Sequence, residues 1–297
     1  MTRWLRSGLV LGVALVLAAL ALPGRTEAPL PPLWRTDVKS LGAEGLSALW
    51  MAPDGGRLIA LSDRSFALSA QVGRDAEGRI ARITVEGRWP LSAPRKPGAR
   101  DVQIDTEGIA LGRNGAIFVS TEGPAHILRM DGLAEPARRV ASPPGFARLD
   151  SNGALEALAI GPDGTLYTLP ETPEDGTTGF PVYRRAGREW SVLATLPAQG
   201  GMAPVGADVG PDGRLYILYR DFSPLRGFAS LLQRHTIGRE TVGAAETLLH
   251  TGFGQLGNLE GISVWRAADG GLIASMVSDD NGLFLLEAEL IEMHLPD

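Results

Sequence analysis

Residues 152–171 read NGALEALAIGPDGTLYTLPE. An acid, Glu156, opens an apolar run, Asp163-Gly164 interrupts it, and a second strand-type run ends on another acid, Glu171. Asn-Gly and Asp-Gly favour positive φ at both turn positions of a tight hairpin, so this stretch predicts two antiparallel strands folded back on one another. The phrase recurs. Turns fall at PDGG (53–56), RNG (113–115), PDG (211–213) and ADGG (268–271), followed by RLIALSD, AIFVSTE, RLYILYRD and GLIASMVSD. Helical periodicity is nearly absent.

The acids that open the repeats are Glu44, Glu107, Glu156 and Glu260, with Asp208 standing less well in the fourth repeat. Successive steps are 63, 49, 52 and 52 residues, and from Glu260 round through the C-terminus to Glu44 is another 53 when counted from residue 29. Repeats of this length, each with about four short strands, predict an all-β chain forming a single β-propeller. The spacing closes as five four-stranded blades, or six if the long first step hides a degenerate one. A pair of β-sandwiches is the alternative, but it leaves the repeated phrase unexplained. RIARITV (79–85) and FPVYRRA (180–186) suit outer strands, and GLFLLEAEL (282–290) could pair with the mature N-terminus to close the ring.

The first 28 residues stand apart. Arg3 and Arg6 precede an apolar stretch from Gly8 to Leu22, too short for a comfortable membrane span, and small residues follow. This predicts a signal peptide over 1–28, a propeller domain over 29–297, and a periplasmic or secreted protein with no membrane attachment after cleavage. An uncleaved anchor is the alternative. Removing the leader changes 28 basic and 34 acidic side chains to 25 and 33. An acidic surface of this kind argues against nucleic acid as a partner. The absence of cysteine excludes disulfides, thiolate nucleophiles and thiolate metal sites. A monomer is expected.

Each repeat also closes on an acid: Asp63, Glu122, Glu171, Asp221 and Asp279. Glu107 and Glu122 each lie seven residues from their turn, as do Glu156 and Glu171, while Glu260 and Asp279 each lie nine away. A hairpin folded about its turn brings such ends together. Since the first strand of a blade lies nearest the axis, the acids should converge on one mouth of the channel. Carboxylates so gathered repel one another and call for raised pKa values or a cation. Hard oxygen ligands select Ca²⁺ or Mg²⁺ over Zn²⁺. The expected ligands are Glu44, Asp63, Glu107, Glu122, Glu156, Glu171, Glu260 and Asp279, with Ca²⁺ as the ion. Acids at strand ends also cap backbone N–H groups and tie blades together, and each taken singly fits that role equally well. In the fourth repeat, aligned on its turn, Val205 takes the glutamate position.

GFGQLG (252–257) matches a dinucleotide fingerprint, but a strand follows it rather than a helix, so it is expected to be a loop between blades. His126 follows the Glu122 end of its hairpin and suits an ordinary blade position. Arg64, Arg129, Arg184 and Arg220 lie near the expected mouth and could hold a phosphate or carboxylate, or could simply pair with surface acids, with Arg64, Arg129 and Arg220 the expected substrate-binding set.

DTEGIALGRNGAIFVSTEGPAHILRMD, NGALEALAIGPDGTLYTLPE and GNLEGISVW…MVSDDN resemble the phytase-like propellers, exported proteins described as having esterase-like activity of the phytase family. The resemblance spans about Leu41 to Asn281. It implies a propeller whose mouth binds Ca²⁺ and hydrolyses a phosphate ester. The expectation is therefore a metal-dependent hydrolase of a small phosphoester or carboxylic ester, with Glu107 and Glu260 catalytic. Lys39 and Lys96 are the only lysines, which disfavours a ligand as anionic as phytate. Alternatives are a propeller that binds a ligand or protein without catalysis, and a lactonase-type metallopropeller with Asn152 or Asn258 among its ligands.

Overall fold

The computed structural model describes residues 30–94, 100–123, 125–149, 153–173, 177–279 and 288–296. The expected leader and Asn152 lie outside the described residues. A first strand, β1 (Trp34–Asp37), precedes blade 1, formed by β2 (Leu46–Met51), β3 (Arg57–Ser62), β4 (Phe66–Arg74) and β5 (Ile80–Pro90). A ribbon of β6 (Ser92–Pro94) and β7 (Asp101–Gln103) leads to blade 2: β8 (Thr106–Leu111), β9 (Ile117–Thr121), β10 (His126–Met130) and β11 (Arg138–Arg139). Blade 3 comprises β12 (Ala157–Ile160), β13 (Leu166–Leu169), β14 (Gly179–Ala186) and β15 (Glu189–Pro197). Blade 4 comprises β16 (Ala203–Val209), β17 (Leu215–Ser223), β18 (Gly227–His235) and β19 (Glu246–His250). Blade 5 runs through β20 (Asn258–Arg266), β21 (Leu272–Asp279) and β22 (Glu289–Leu295), and β1 joins as its outermost strand.

The protein is thus a five-bladed β-propeller whose blades are antiparallel meanders. The ring is closed by β1 lying antiparallel to β22, with Trp34 opposite Glu292. The closing strand is ELIEMHL (289–295), later than the expected 282–290, of which all but the last three residues lie outside the described residues.

Five apolar clusters hold the ring. One lies between each pair of neighbouring blades, including one in which Leu46, Leu58 and Leu68 of blade 1 meet Trp265, Ile273 and Leu290 of blade 5. Alternation along a strand explains this, because both faces of each sheet must be apolar to pack on both neighbours. In β17, Leu215, Ile217 and Tyr219 face blade 3, while Tyr216 and Leu218 face blade 5.

The five turns repeat one geometry. Gly55, Gly115, Gly164, Gly213 and Gly270 have φ of 67°, 79°, 84°, 75° and 92°. The Asp or Asn before each does not adopt positive φ. Its side-chain oxygen instead accepts a bond from the N–H two residues on, at 2.9–3.2 Å. The expectation of positive φ at both turn positions is corrected here: an Asx-type turn with a single left-handed glycine replaces the two-residue turn.

Candidate metal centre at the channel mouth

The first strands of the blades ring the axis, and glycine lets them approach. A Cβ on Gly261 would lie 2.7 Å from the Leu49 N and 2.8 Å from Ala48 of blade 1. One on Gly206 would lie 2.6 Å from the Glu260 carbonyl oxygen, and one on Gly108 2.8 Å from that of Glu156. The Glu-Gly pairs of the sequence therefore combine an inward acid with a residue small enough for the next blade to close against.

What aims the acid inward is a bulge. Pairing slips between Leu46 and Ala48, Thr106 and Ile109, Pro204 and Gly206, and Leu259 and Gly261. A bulge re-aims the extra side chain. The side chains so placed are Ser47, Glu107, Val205 and Glu260, and Glu156 takes the corresponding place just ahead of β12. All five line one constriction of the channel, of about 10 Å³, room for roughly one water molecule.

Around this constriction seven carboxylates interact electrostatically: Asp105, Glu107 and Glu122 from blade 2, Glu156 and Glu171 from blade 3, Glu260 and Asp279 from blade 5. Burial, then the charges of Glu156, Asp105, Glu260 and Glu122, push the Glu107 carboxyl up to about 12. Burial and then Glu171, Glu260 and Glu122 hold Glu156 well above its ordinary value. Burial raises Glu260 to about 7, with Arg220 and Asn258 opposing and Asp279 adding to the rise. Glu122 and Asp105 are also raised, chiefly by burial.

The mouth is asymmetric. Arg220 of β17 donates to Glu171 at 2.6 Å, to the Asn258 side-chain oxygen at 2.9 Å, and to Glu260. Burial disfavours its charge, yet Glu260 and Glu171 hold its pKa above the ordinary value. Asn258 in turn donates to Glu260 at 2.6 Å. The blade 3 and blade 5 side therefore carries an internal counter-charge. On the blade 2 side, ligand oxygens of Asp105, Glu107 and Glu122 lie within 4.8 Å of one another. One Glu122 oxygen accepts the Gly153 N–H.

Other expected residues fall elsewhere. Glu44 is exposed and pairs with Arg64 at 2.6 Å, and Ser47 holds the bulge position in blade 1. The first blade's acid belongs to the loop before the strand, three residues too early. Asp63 sits over Gly45, a Cβ on which would lie 2.0 Å from its carboxylate. Arg129 of β10 stands opposite Phe118, at the end of the blade that carries the Asn114-Gly115 turn and away from Glu122, and pairs with Asp131 at 2.7 Å; Arg184 of β14, opposite Tyr167, lies toward the same turn end of blade 3. Asp208 accepts the Val264 N–H at 2.7 Å, tying blade 4 to blade 5. Asp105 was not among the expected ligands. Its only signal was an acid two residues before Glu107.

A model of the phytase-like family, described as esterase-like activity of phytase, matches residues 42–282. The chain belongs to that family. No curated protein sequence matches it. Among solved structures, this phytase-like propeller is similar to a gluconolactonase from Xanthomonas campestris, at 16% identity and a TM-score of 0.44 over 81% of this chain and 69% of that one. It is also similar to virginiamycin B lyase from Staphylococcus aureus, at 13% identity and 0.42 over 90% and 75%. A nidogen–laminin complex matches at 15% identity and 0.43 over 74% and 72%. Likenesses at this level carry no inference about what the phytase-like chain does.

Proposed function

We propose that this protein is an exported, metal-dependent hydrolase of a small phosphoester or carboxylic ester, acting at the acidic mouth of its channel. One observation carries the proposal. Seven carboxylates from three blades gather at the mouth, Arg220 bonds two of them, and three others bring their oxygens within 4.8 Å of one another on the opposite side. Burying Glu107 and Glu156 beside so many like charges is costly, so each must either keep its proton or meet a cation. An all-oxygen donor set fits Ca²⁺ or Mg²⁺. Asp105, Glu107 and Glu122 would hold the ion, with Glu156 beside them. When bound, such an ion supplies positive charge to an ester oxygen that becomes negative during hydrolysis.

The protein's own groups divide the remaining work. Glu260, at about 7, can exchange a proton near neutral pH, which suits a general base. Arg220 fixes its orientation and, through a second N–H, that of Glu171. Asn258 has its side-chain oxygen committed to Arg220 and its amide to Glu260, so it positions Glu260 rather than ligating an ion as a lactonase-type centre would require.

A second reading rests on the Arg220 cluster. Its bonds tie blades 3, 4 and 5 together, and a binding propeller without catalysis would use them in the same way. Aryl phosphates and aryl carboxylic esters assayed with Ca²⁺ and with chelator separate the two. We expect turnover that chelator abolishes and that Glu260→Gln removes without loss of fold. Turnover by neither class of ester, with Ca²⁺ binding intact, would leave the binding propeller.

A further inference from the structure

Strand β17 does more than deliver Arg220. It runs nine residues, against five in β9, four in β13 and eight in β21, and its hairpin with β18 stays paired for three residues past Arg220. Pairing through this hairpin is unbroken from Leu215 to Ser223, so Arg220 and Phe222 point from the same face of blade 4. Phe222 stands two residues, about 7 Å, further out along the strand than the arginine that bonds Glu260. It pairs across the hairpin with Phe228, ring centroids 4.8 Å apart. Phe222 is 57% exposed and Leu225 at the tip 97% exposed.

The hairpin is braced from below. The Gly254 N–H donates to the Phe228 carbonyl at 2.7 Å, and Arg226 lies 4.0 Å over the Phe253 ring. Gly252 donates to the Gln255 side chain at 2.7 Å. The GFGQLG loop thus serves as the footing for an apolar wall. A rigid apolar edge directly above the charged groups of a mouth is the arrangement that ligand sites use to orient a two-part molecule.

We propose, resting on the mouth as the reacting site, that Phe222, Leu225 and Phe228 form the specificity wall for the apolar half of the substrate. The ester preferred here is amphipathic, with its acidic head at the carboxylate-bound cation and an alkyl or aryl group against the hairpin. The acidic mouth beside the wall opposes approach to an anionic lipid surface, which is the competing use of an exposed apolar hairpin.

The test is calorimetric titration of the full mature protein with n-octyl phosphate and with inorganic phosphate, in Ca²⁺ and in chelator. Phe222→Ser and Leu225→Ser are the wall variants, and Leu225 is exposed enough for its replacement to leave the fold untouched. We expect octyl phosphate to bind at least about tenfold more tightly than phosphate, and each wall variant to erase about tenfold of that advantage while phosphate affinity stays unchanged. Equal affinity for both ligands, or an advantage that survives in both variants, overturns the wall while leaving the mouth intact. An advantage that is wall-dependent yet indifferent to chelator and to Glu107→Gln keeps the wall and refutes the metal-bearing mouth. Binding of neither ligand refutes both. Sedimentation with phosphatidylglycerol vesicles that is lost in Leu225→Ser, with octyl phosphate affinity unaltered, assigns the hairpin to a membrane and overturns the proposal.

Discussion

Consider the protein stripped of divalent cations and melted across pH. A carboxyl whose folded pKa lies above its unfolded value binds its proton more tightly in the native state. Stability is then highest below the unfolded pKa and is lost as pH rises toward the folded pKa. Glu260 rises from an ordinary 4.5 to about 7. Taking it from pH 4 to beyond pH 7 therefore costs about 3 kcal/mol of stability. Glu107, raised to about 12, extends the loss above pH 7, and the rise of Glu156 acts in the same direction. This is the reverse of ordinary acid denaturation, in which carboxylates paired in the native state are protonated.

Ca²⁺ should reverse the loss. At a hundredfold excess over its dissociation constant, a ligand that binds only the native state adds about 2.7 kcal/mol. For a domain of this size that is roughly 5–11 °C in Tm. The gain should grow from pH 5 to pH 8, because the ion must displace protons from Glu107 and its neighbours at the lower pH. Glu107→Gln isolates the cause. Its amide mimics the protonated acid, so Tm without Ca²⁺ at pH 6 should stay near that of the unaltered protein, while most of the Ca²⁺ gain disappears. Differential scanning calorimetry at several pH values, with and without Ca²⁺, reads all three quantities. A Tm that ignores Ca²⁺ at every pH, or a Ca²⁺ gain that survives in Glu107→Gln, would refute the argument that repulsion at the mouth demands a counter-ion.

Three further outcomes follow from particular contacts. Gly261→Ala would press a methyl group to within 2.7 Å of the Leu49 N and should cost about 1–3 kcal/mol, measured by urea unfolding. Arg74→Ala would strand Glu292, whose side chain is 2% exposed and bonded to Arg74 at 2.8 Å and 2.9 Å and to Ser275 at 2.6 Å. We expect about 3–5 kcal/mol of destabilisation at neutral pH. Arg220→Met would remove the positive charge that opposes the rise of Glu260, so the acid limb of the pH–rate profile should move to higher pH; an unmoved limb would show that Glu260 is not the titrating base.

The blade count was legible because its signals are local. An Asx turn followed by a left-handed glycine is a property of four residues, and it recurs five times. The inward placement of Glu107 and Glu156 was legible for the same reason, since each lies seven residues before its turn, while Glu260, nine before its own, was marked by the Glu-Gly pair it shares with Glu107. Val205, aligned on its turn, falls in the glutamate position for the same geometric reason. Blade 1 is where counting fails. Glu44 precedes a glycine as Glu107 does, yet the bulge falls three residues later, and Ser47 turns inward to donate to the Thr106 carbonyl at 2.5 Å. Bulge placement depends on how a strand meets its partner, and a single strand's sequence does not carry that.

Arg220 illustrates a second limit. Sequence placed it near the mouth together with Arg64 and Arg129, which are equally basic and equally close to strand ends. Arg220 stands opposite Ala203 at the start of the first strand of blade 4, whose inward position holds Val205 rather than an acid, and its guanidinium reaches past that strand to acids of blades 3 and 5. That reach sets the charge asymmetry: one side of the mouth is balanced by a fixed guanidinium, and among the described residues no arginine bonds Asp105, Glu107 or Glu122 on the other side. If the mouth takes up a cation as proposed, this asymmetry would place it beside blade 2 rather than on the axis, and would leave Glu260, across the constriction, to move a proton.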